Sequence, residues 1–182
     1  RLRHPSDRQG EWLGGQRPDA VRTVVLGIGN TILSDEGVGV RAAEALQERF
    51  ELPEGVEVID GGTAGMELLG PLSGTDVLVV LDAVMGGQPP GSVVKLAGNE
   101  VPVFFRTKLS PHQVSICDVL AGLEFSGDLP SDLVLIGIEP QNLDLGLELT
   151  PAVAERIPQM VAMAVAELAA RGVELREKAA CA

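Results

Sequence analysis

The sequence is poor in aromatic residues, cysteine and histidine. Phe, Trp and Tyr make up 3% of its 182 residues and Tyr does not occur, so the core must consist mainly of Val, Leu, Ile and Ala. Cys117 and Cys181 form neither a C-x-x-C motif nor a zinc-type pair. This argues against a disulfide-bonded scaffold and favours a reducing compartment, the cytoplasm. No H-E-x-x-H motif is present either, which excludes a standard zincin.

Basic residues are scarce relative to acidic ones. There are 14 Lys and Arg against 26 Asp and Glu, and the formal net charge is −12. The body of the chain lacks the basic patch of a nucleic-acid-binding protein, and its acidity disfavours anionic membranes. No apolar run approaches the ~20 residues that span a bilayer. Residues 1–20 contain no apolar core of a secretory signal. We therefore expect neither nucleic acid nor membrane as a partner.

Short β-branched and apolar runs alternate with segments of helical periodicity. This alternation predicts an α/β fold, a three-layer sandwich in which a mainly parallel, twisted sheet of about five strands has helices on both faces. We expect a flexible N-terminal extension over residues 1–21, a single domain over 22–173 and a C-terminal tail over 174–182. The predicted strands lie at 23–28, 56–59, 76–81, 92–96 and 133–138.

Four segments carry signals for the start of a helix. Ser34 is followed by two carboxylates, which favour the positive end of a helix. Thr63 can cap a helix to about residue 72. Ser110-Pro-His-Gln113 has the form of a capping box, and Thr150-Pro151 precedes a long amphipathic segment. We expect the hydroxyls of Ser34, Thr63 and Ser110 to cap helices, and we expect Thr150-Pro151 to open the last helix.

Carboxylates follow the predicted parallel strands. Asp35 and Glu36 come after the first strand, while Asp60, Asp82 and Glu139 end later ones. Ligands of open parallel sheets bind beyond the carboxyl ends of the strands. The sequence therefore predicts an acidic active edge, which suits a metal or a cationic group better than phosphate.

A nucleotide site is a weaker alternative. Gly27-Ile-Gly29 resembles the start of a dinucleotide fingerprint, but Ile32 occupies the position of its third glycine. Asp35 and Glu36 would also repel a pyrophosphate.

His112 is the only histidine in the predicted domain. As the second residue of a helix it should stay neutral and able to ligate a metal, although a surface histidine is equally compatible with the sequence. Cys117 lies five residues further along the same predicted helix, on a different face, which disfavours a cysteine protease.

An aspartic-protease pair among Asp35, Glu36 and Asp82 stays open because spacing alone does not test it.

Five motifs in this order resemble those of the hydrogenase maturation proteases. The resemblance covers about Arg22 to Val173, and it is closest to family members that process uptake-type nickel–iron hydrogenases. The motifs are GIGN (27–30) with LSDEG (33–37) and Gly39, DGGTAG (60–65) with ELL (67–69), Asp82-Ala83, SPHQ (110–113), and GIEP (137–140) with LTP (149–151).

The resemblance implies catalytic and metal-binding roles for Glu36, Asp82 and His112. It implies one cut that removes a C-terminal extension from a nickel–iron hydrogenase large-subunit precursor after nickel insertion. The nickel would be carried by the substrate, with no tightly bound metal in the enzyme. A monomer is expected, because the large precursor must reach the sheet edge. An accessory protein that binds the loaded precursor without cutting it is the alternative.

The resemblance also brings in the turn of the DGGTAG motif. Its glycines would let a peptide backbone approach closely. We therefore expect substrate contacts from Asp60, Gly61, Gly62 and Thr63.

Overall fold

The computed structural model describes residues 21–107 and 111–179, except for the side chains of residues 105–107 and 111–115. The strands are β1 (Thr23–Ile28), β2 (Phe50–Glu51), β3 (Val56–Gly62), β4 (Val77–Ala83), β5 (Val93–Ala97), β6 (Asp132–Ile138) and β7 (Arg176–Glu177). The helices are α1 (Val38–Arg49), α2 (Leu69–Leu72), α3 (Glu100–Thr107), α4 (Pro111–Ser126), α5 (Pro151–Ala154) and α6 (Ile157–Ala169). Two 3-10 helices, Ser34–Gly37 and Gly65–Leu68, lead into α1 and α2.

The main sheet has five strands in the order β3-β1-β4-β6-β5. The first four are parallel, and β5 runs antiparallel to β6 at the edge. Every residue of the central strand β4 is buried, which explains its unbroken apolar sequence. The predicted three-layer α/β architecture is therefore confirmed.

Alternate residues of the strands build two apolar layers. Val25 of β1 packs into the layer with α1 and α6, whereas Val24 and Leu26 pack into the layer with α2, α3 and α4. All three are fully buried. The period-2 alternation of strand side chains thus provides both cores, and both faces of the sheet are covered.

Two glycines allow helix α1 to start against the strand ends. A Cβ on Gly39 would collide with the carbonyl oxygens of Leu81 and Ile28. Gly29 has φ of +129°, and a Cβ there would collide with the carbonyl oxygen of Glu36. The β1–α1 turn therefore folds tightly over the carboxyl ends of β1 and β4.

The capping predictions for Ser34 and Thr63 are wrong. Ser34 lies inside a 3-10 helix, and its hydroxyl donates instead to the carbonyl oxygen of Asp144. Ala64, and not Thr63, stands at the N-cap of the next helix, which has no side-chain cap. Thr150 precedes α5 as expected, but its hydroxyl donates to Asp35. Ser110 lies outside the described residues.

Two features were not predicted from the sequence. Helix α3 follows β5, and strand β7 pairs antiparallel with β2. The backbone N–H of Lys178 also donates to the carbonyl oxygen of Arg49 at 2.8 Å. Residues 176–178, within the segment expected to be a tail, therefore contact the body. None of the helices in the described part of the chain combines the length and apolar character needed to cross a membrane.

An ion-pair network joins α6 to the sheet. Arg171 makes a bidentate contact with Asp132 at 2.6 and 2.8 Å and a further one with Glu167 at 2.8 Å. The Arg171 guanidinium lowers the pKa of Asp132 from its ordinary 3.8. Lys95, and to a lesser degree Arg171, lowers the pKa of Glu167 from 4.5. The network thus stabilises the fold where the carboxylates are ionised.

We expect Arg171→Ala to lower the free energy of unfolding by about 1 kcal/mol at pH 7, because Asp132 is partly solvent-screened. Carboxylates with lowered folded-state pKa values stabilise the fold above their ordinary pKa, and this contribution disappears as pH falls through the folded-state values. Urea unfolding at pH 7 and pH 3 measures the effect, which should be smaller at pH 3 than at pH 7. Arg41→Ala, at an exposed pair with Glu44, is the control. Equal losses from both variants, or a loss independent of pH, would contradict the prediction.

Candidate active site

Asp82 ends strand β4 at the carboxyl edge of the sheet. Its side chain is 4% exposed, and its Oδ2 has no hydrogen-bond partner among the residues described. Burial raises the pKa of Asp82 well above 3.8; repulsion from Glu36 adds to the rise, while a backbone hydrogen bond from Ala83 opposes it. A buried oxygen that lacks a partner is costly, and a proton or a cation would lower that cost.

Glu36 lies in the 3-10 helix between β1 and α1. Its side chain is partly buried, with Oε2 shielded from solvent. Its charge is close enough to raise the pKa of Asp82. The structure therefore brings together two of the predicted site residues, and the pair forms a local concentration of negative charge.

His112 is the second residue of α4, and its side chain lies outside the described part of the structure. A short segment joins the C-terminal end of α4 to the start of β6, so this end of the helix lies at the amino edge of the sheet. The helix has 16 residues and is roughly 24 Å long, so its N-terminal end, where His112 lies, is directed toward the carboxyl edge. The backbone path is compatible with a site at that edge. Among the described residues no group of three candidate metal ligands occurs, so the ligand role of His112 stays a prediction.

Asp35, next to Glu36, has a structural role. It is fully buried, and it accepts four hydrogen bonds from the segment that follows β6. Its Oδ2 accepts from the N–H groups of Gln141 and Asn142 and from the hydroxyl of Thr150, each at 2.9 Å. Its Oδ1 accepts from the N–H of Thr150 at 2.7 Å. The expectation that Asp35 faces a helix end is wrong, because this clamp satisfies the carboxylate fully.

Glu139 is also structural. It accepts hydrogen bonds from the backbone N–H groups of Gly86, Gly87 and Gln88 at 2.7, 3.1 and 3.1 Å. It therefore holds the loop that follows β4. Because hydrogen bonds fully engage the Asp35 carboxylate, an acid pair involving Asp35 is ruled out, and the buried Asp82 with its neighbour Glu36 is the pair that the structure places together.

The turn of the DGGTAG motif adjoins the same site. Asp60 and Thr63 are exposed, and Asp60 Oδ1 accepts from the N–H of Gly62 at 2.9 Å. The carbonyl oxygen of Gly62 in turn accepts from the N–H of Gly29 at 2.9 Å. Gly61 is buried against Leu26, so a side chain does not fit there. The turn is thus fixed beside the loop that carries Glu36.

Comparison with known proteins gives a consistent answer. The family model for "Hydrogenase maturation protease" matches residues 40–167. The hydrogenase 2 maturation protease of Escherichia coli is 44% identical over 85% of this chain and 94% of its own length. The hydrogenase expression/formation protein HupD of Thiocapsa roseopersicina is 45% identical over 85% of this chain and 71% of its own.

Solved structures agree with the sequence matches. The hydrogenase maturating endopeptidase HybD from E. coli superposes with a TM-score of 0.84 at 44% identity, covering 86% of this chain and 98% of that one. The [NiFe] hydrogenase maturation protease HybD from Thermococcus kodakarensis gives 0.67 at 28% identity, covering 79% and 96%. The chain belongs to the hydrogenase maturation protease family, and it is therefore an endopeptidase.

Proposed function

We propose that this endopeptidase removes the C-terminal extension of a nickel–iron hydrogenase large-subunit precursor after nickel insertion. Glu36, Asp82 and His112 contact the nickel that the precursor carries. One observation supports this most directly: Asp82 Oδ2 is buried without a hydrogen-bond partner in the described structure, beside the negative charge of Glu36. A bound cation would satisfy the oxygen and relieve the repulsion.

The ligand set favours a metal brought by the substrate. One imidazole and two carboxylates are three ligands of borderline to hard character, which bind free nickel modestly. They complete the coordination of a nickel ion already held by precursor thiolates. The enzyme would then distinguish loaded from empty precursor through the metal itself, which accounts for cleavage only after insertion.

The chemistry of the cut uses the same groups. Burial raises the pKa of Asp82, which makes its carboxylate a stronger base than an exposed one and a candidate to take a proton from the attacking water. Glu36 is the other candidate base, and the nickel can polarise the scissile carbonyl.

The Asp60–Thr63 turn supplies the substrate contact in this proposal. The backbone at Gly62 has φ of +43°, and Asp60 and Thr63 project beside the loop that carries Glu36. A precursor chain that crosses the edge would pass both. The enzyme acts in the cytoplasm as a monomer, which leaves the edge open to a large partner.

The experiment is an intact-mass measurement on nickel-loaded and nickel-free precursor, each incubated with this protein. We expect loss of a C-terminal peptide from the loaded precursor alone. Glu48→Gln, an exposed carboxylate on α1, is the control variant and should cut like the wild type. Equal cutting of both precursor forms would contradict recognition through nickel.

Two other outcomes separate the alternatives. Stable binding of the loaded precursor without any mass change would support an accessory protein. A thermal shift with nucleotides, together with no effect of precursor, would support the nucleotide-binding alternative.

A further inference from the structure

The segment after β6 exposes three leucines at alternate positions. Leu143, Leu145 and Leu147 are 39%, 81% and 65% exposed, and Ile32 of the β1–α1 turn is 51% exposed. We call these four side chains the leucine rim. Scattered exposed apolar residues need no explanation. Here, however, four of the nine large apolar side chains that are exposed in the described part of the chain lie in two adjoining segments.

The leucine rim rests on a fixed backbone. The N–H of Ser34 donates to the carbonyl oxygen of Gly146 at 2.8 Å, and the N–H of Gly146 donates to that of Ile32 at 3.0 Å. The Asp35 carboxylate accepts hydrogen bonds from Asn142 and Thr150 at the two ends of the same segment, and the Ser34 hydroxyl donates to the carbonyl oxygen of Asp144. The leucines are therefore held outward by a hydrogen-bonded scaffold, which reduces the conformational entropy lost when a partner binds.

The alternation determines which side chains face outward. Gly146 faces the turn, because a Cβ there would lie 2.6 Å from Ser34 Oγ. Its neighbours Leu145 and Leu147 project into solvent instead. The rim lies beside the site, since the turn that it pairs with continues directly into Glu36.

The shape and charge of the leucine rim indicate the partner. Projecting side chains fit pockets on a folded surface, whereas an extended peptide binds in a groove. The charged residues within 140–150 are Asp144 and Glu148, both acidic and exposed, so the matching surface is apolar with basic residues around it. The rim adjoins the turn that carries Glu36, so a substrate whose tail enters the site there has the rim within reach of its folded body.

We propose that the leucine rim docks the folded body of the precursor whose C-terminal extension is cut, an inference that rests on the proposed function. Docking outside the catalytic edge adds affinity for the whole precursor. The rim would take no part in the cut itself, and its loss should affect binding rather than turnover.

The test uses the double variant Leu145→Ser/Leu147→Ser and the full nickel-loaded precursor. The expected result is a rise in KM of about tenfold with kcat within about twofold of the wild type. Phe125→Ser is the matched control, because Phe125 is 96% exposed at the far end of α4, and its KM should not change. Light scattering and a direct binding assay on the same proteins give the mass and the precursor affinity.

The outcomes distinguish this inference from the proposed function. An unchanged KM and affinity in the double variant, or an equal loss in Phe125→Ser, overturns docking while cleavage by the wild type stands. A homodimer that the double variant dissolves, with precursor affinity unchanged, also overturns it. If the wild type binds the precursor without cutting it, weaker binding by the double variant still supports the rim. If the wild type does not bind the precursor at all, both ideas fail.

Discussion

Asp82→Asn is expected to abolish processing of the nickel-loaded precursor while the protein stays folded. The amide has nearly the shape of the carboxylate but lacks its charge and basicity. Both the attraction for nickel and the capacity to take a proton from water would be lost. Proton transfer alone contributes about 10²–10⁴-fold to rate, so kcat should fall by at least that factor. Intact mass over a time course of single-turnover reactions measures it.

The same substitution should leave stability unchanged or raise it. The pKa of Asp82 is raised in the folded state, mainly by burial and further by Glu36. When an acid has a higher pKa in the folded state than in the unfolded state, the protein loses stability as the pH rises from the unfolded-state pKa through the folded-state pKa. The wild type should show this loss because of Asp82. Asp82→Asn removes this loss. Without nickel, urea unfolding at a pH near 3.8 and at pH 8 should therefore show the variant gaining stability relative to the wild type at the higher pH.

Asp118→Asn provides the matched control, because Asp118 is an exposed carboxylate on α4. It should process the precursor normally and unfold like the wild type at both pH values. Glu36→Gln and His112→Ala should lose processing as Asp82→Asn does. Processing at the wild-type rate by Asp82→Asn, or a variant that is less stable than the wild type at pH 8, would contradict the assignment.

The sequence was sufficient to predict the fold because its strands are continuous apolar runs. Such runs indicate strands that are covered by helices on both faces of a sheet. The alternation of strands and helices along the chain then allows few sheet topologies. The exposed strand β5 was also predicted, whereas α3, which follows it, was not. The pair β2 and β7 was missed because each strand has two residues, too few for a periodic pattern.

The site was predicted in part, for a physical reason. Strand-end positions are set by local sequence, so Asp82 and Glu36 could be placed at one edge without a structure. Asp35 and Glu139 are also carboxylates at this edge, but both accept hydrogen bonds from segments that are distant in the sequence. The partners of Asp35 lie 106 to 115 residues away, and no local pattern reveals them. One of these partners, Thr150, lies in the Leu149-Thr-Pro151 motif, but the sequence indicated a helix start and a family resemblance there and not a contact with Asp35.

Asp35→Ala is expected to lower the free energy of unfolding strongly. The substitution removes the carboxylate that accepts four hydrogen bonds. The N–H groups of Gln141, Asn142 and Thr150 then lose their acceptor. Hydrogen bonds to charged groups contribute about 1.5–3 kcal/mol each and are not additive, so we expect a loss of about 3–4 kcal/mol. Urea unfolding at pH 7 measures the change.

Asp144→Ala is the control for this clamp, because Asp144 is an exposed carboxylate in the same segment. Its loss should stay within about 0.5 kcal/mol. Asp35→Asn keeps one acceptor oxygen but turns an amide N–H₂ toward backbone donors, so its stability should lie between the two. If Asp35→Ala and Asp144→Ala were equally stable, the clamp would contribute nothing measurable. If the graded order holds, the carboxylate next to Glu36 is what ties the catalytic turn to the segment after β6.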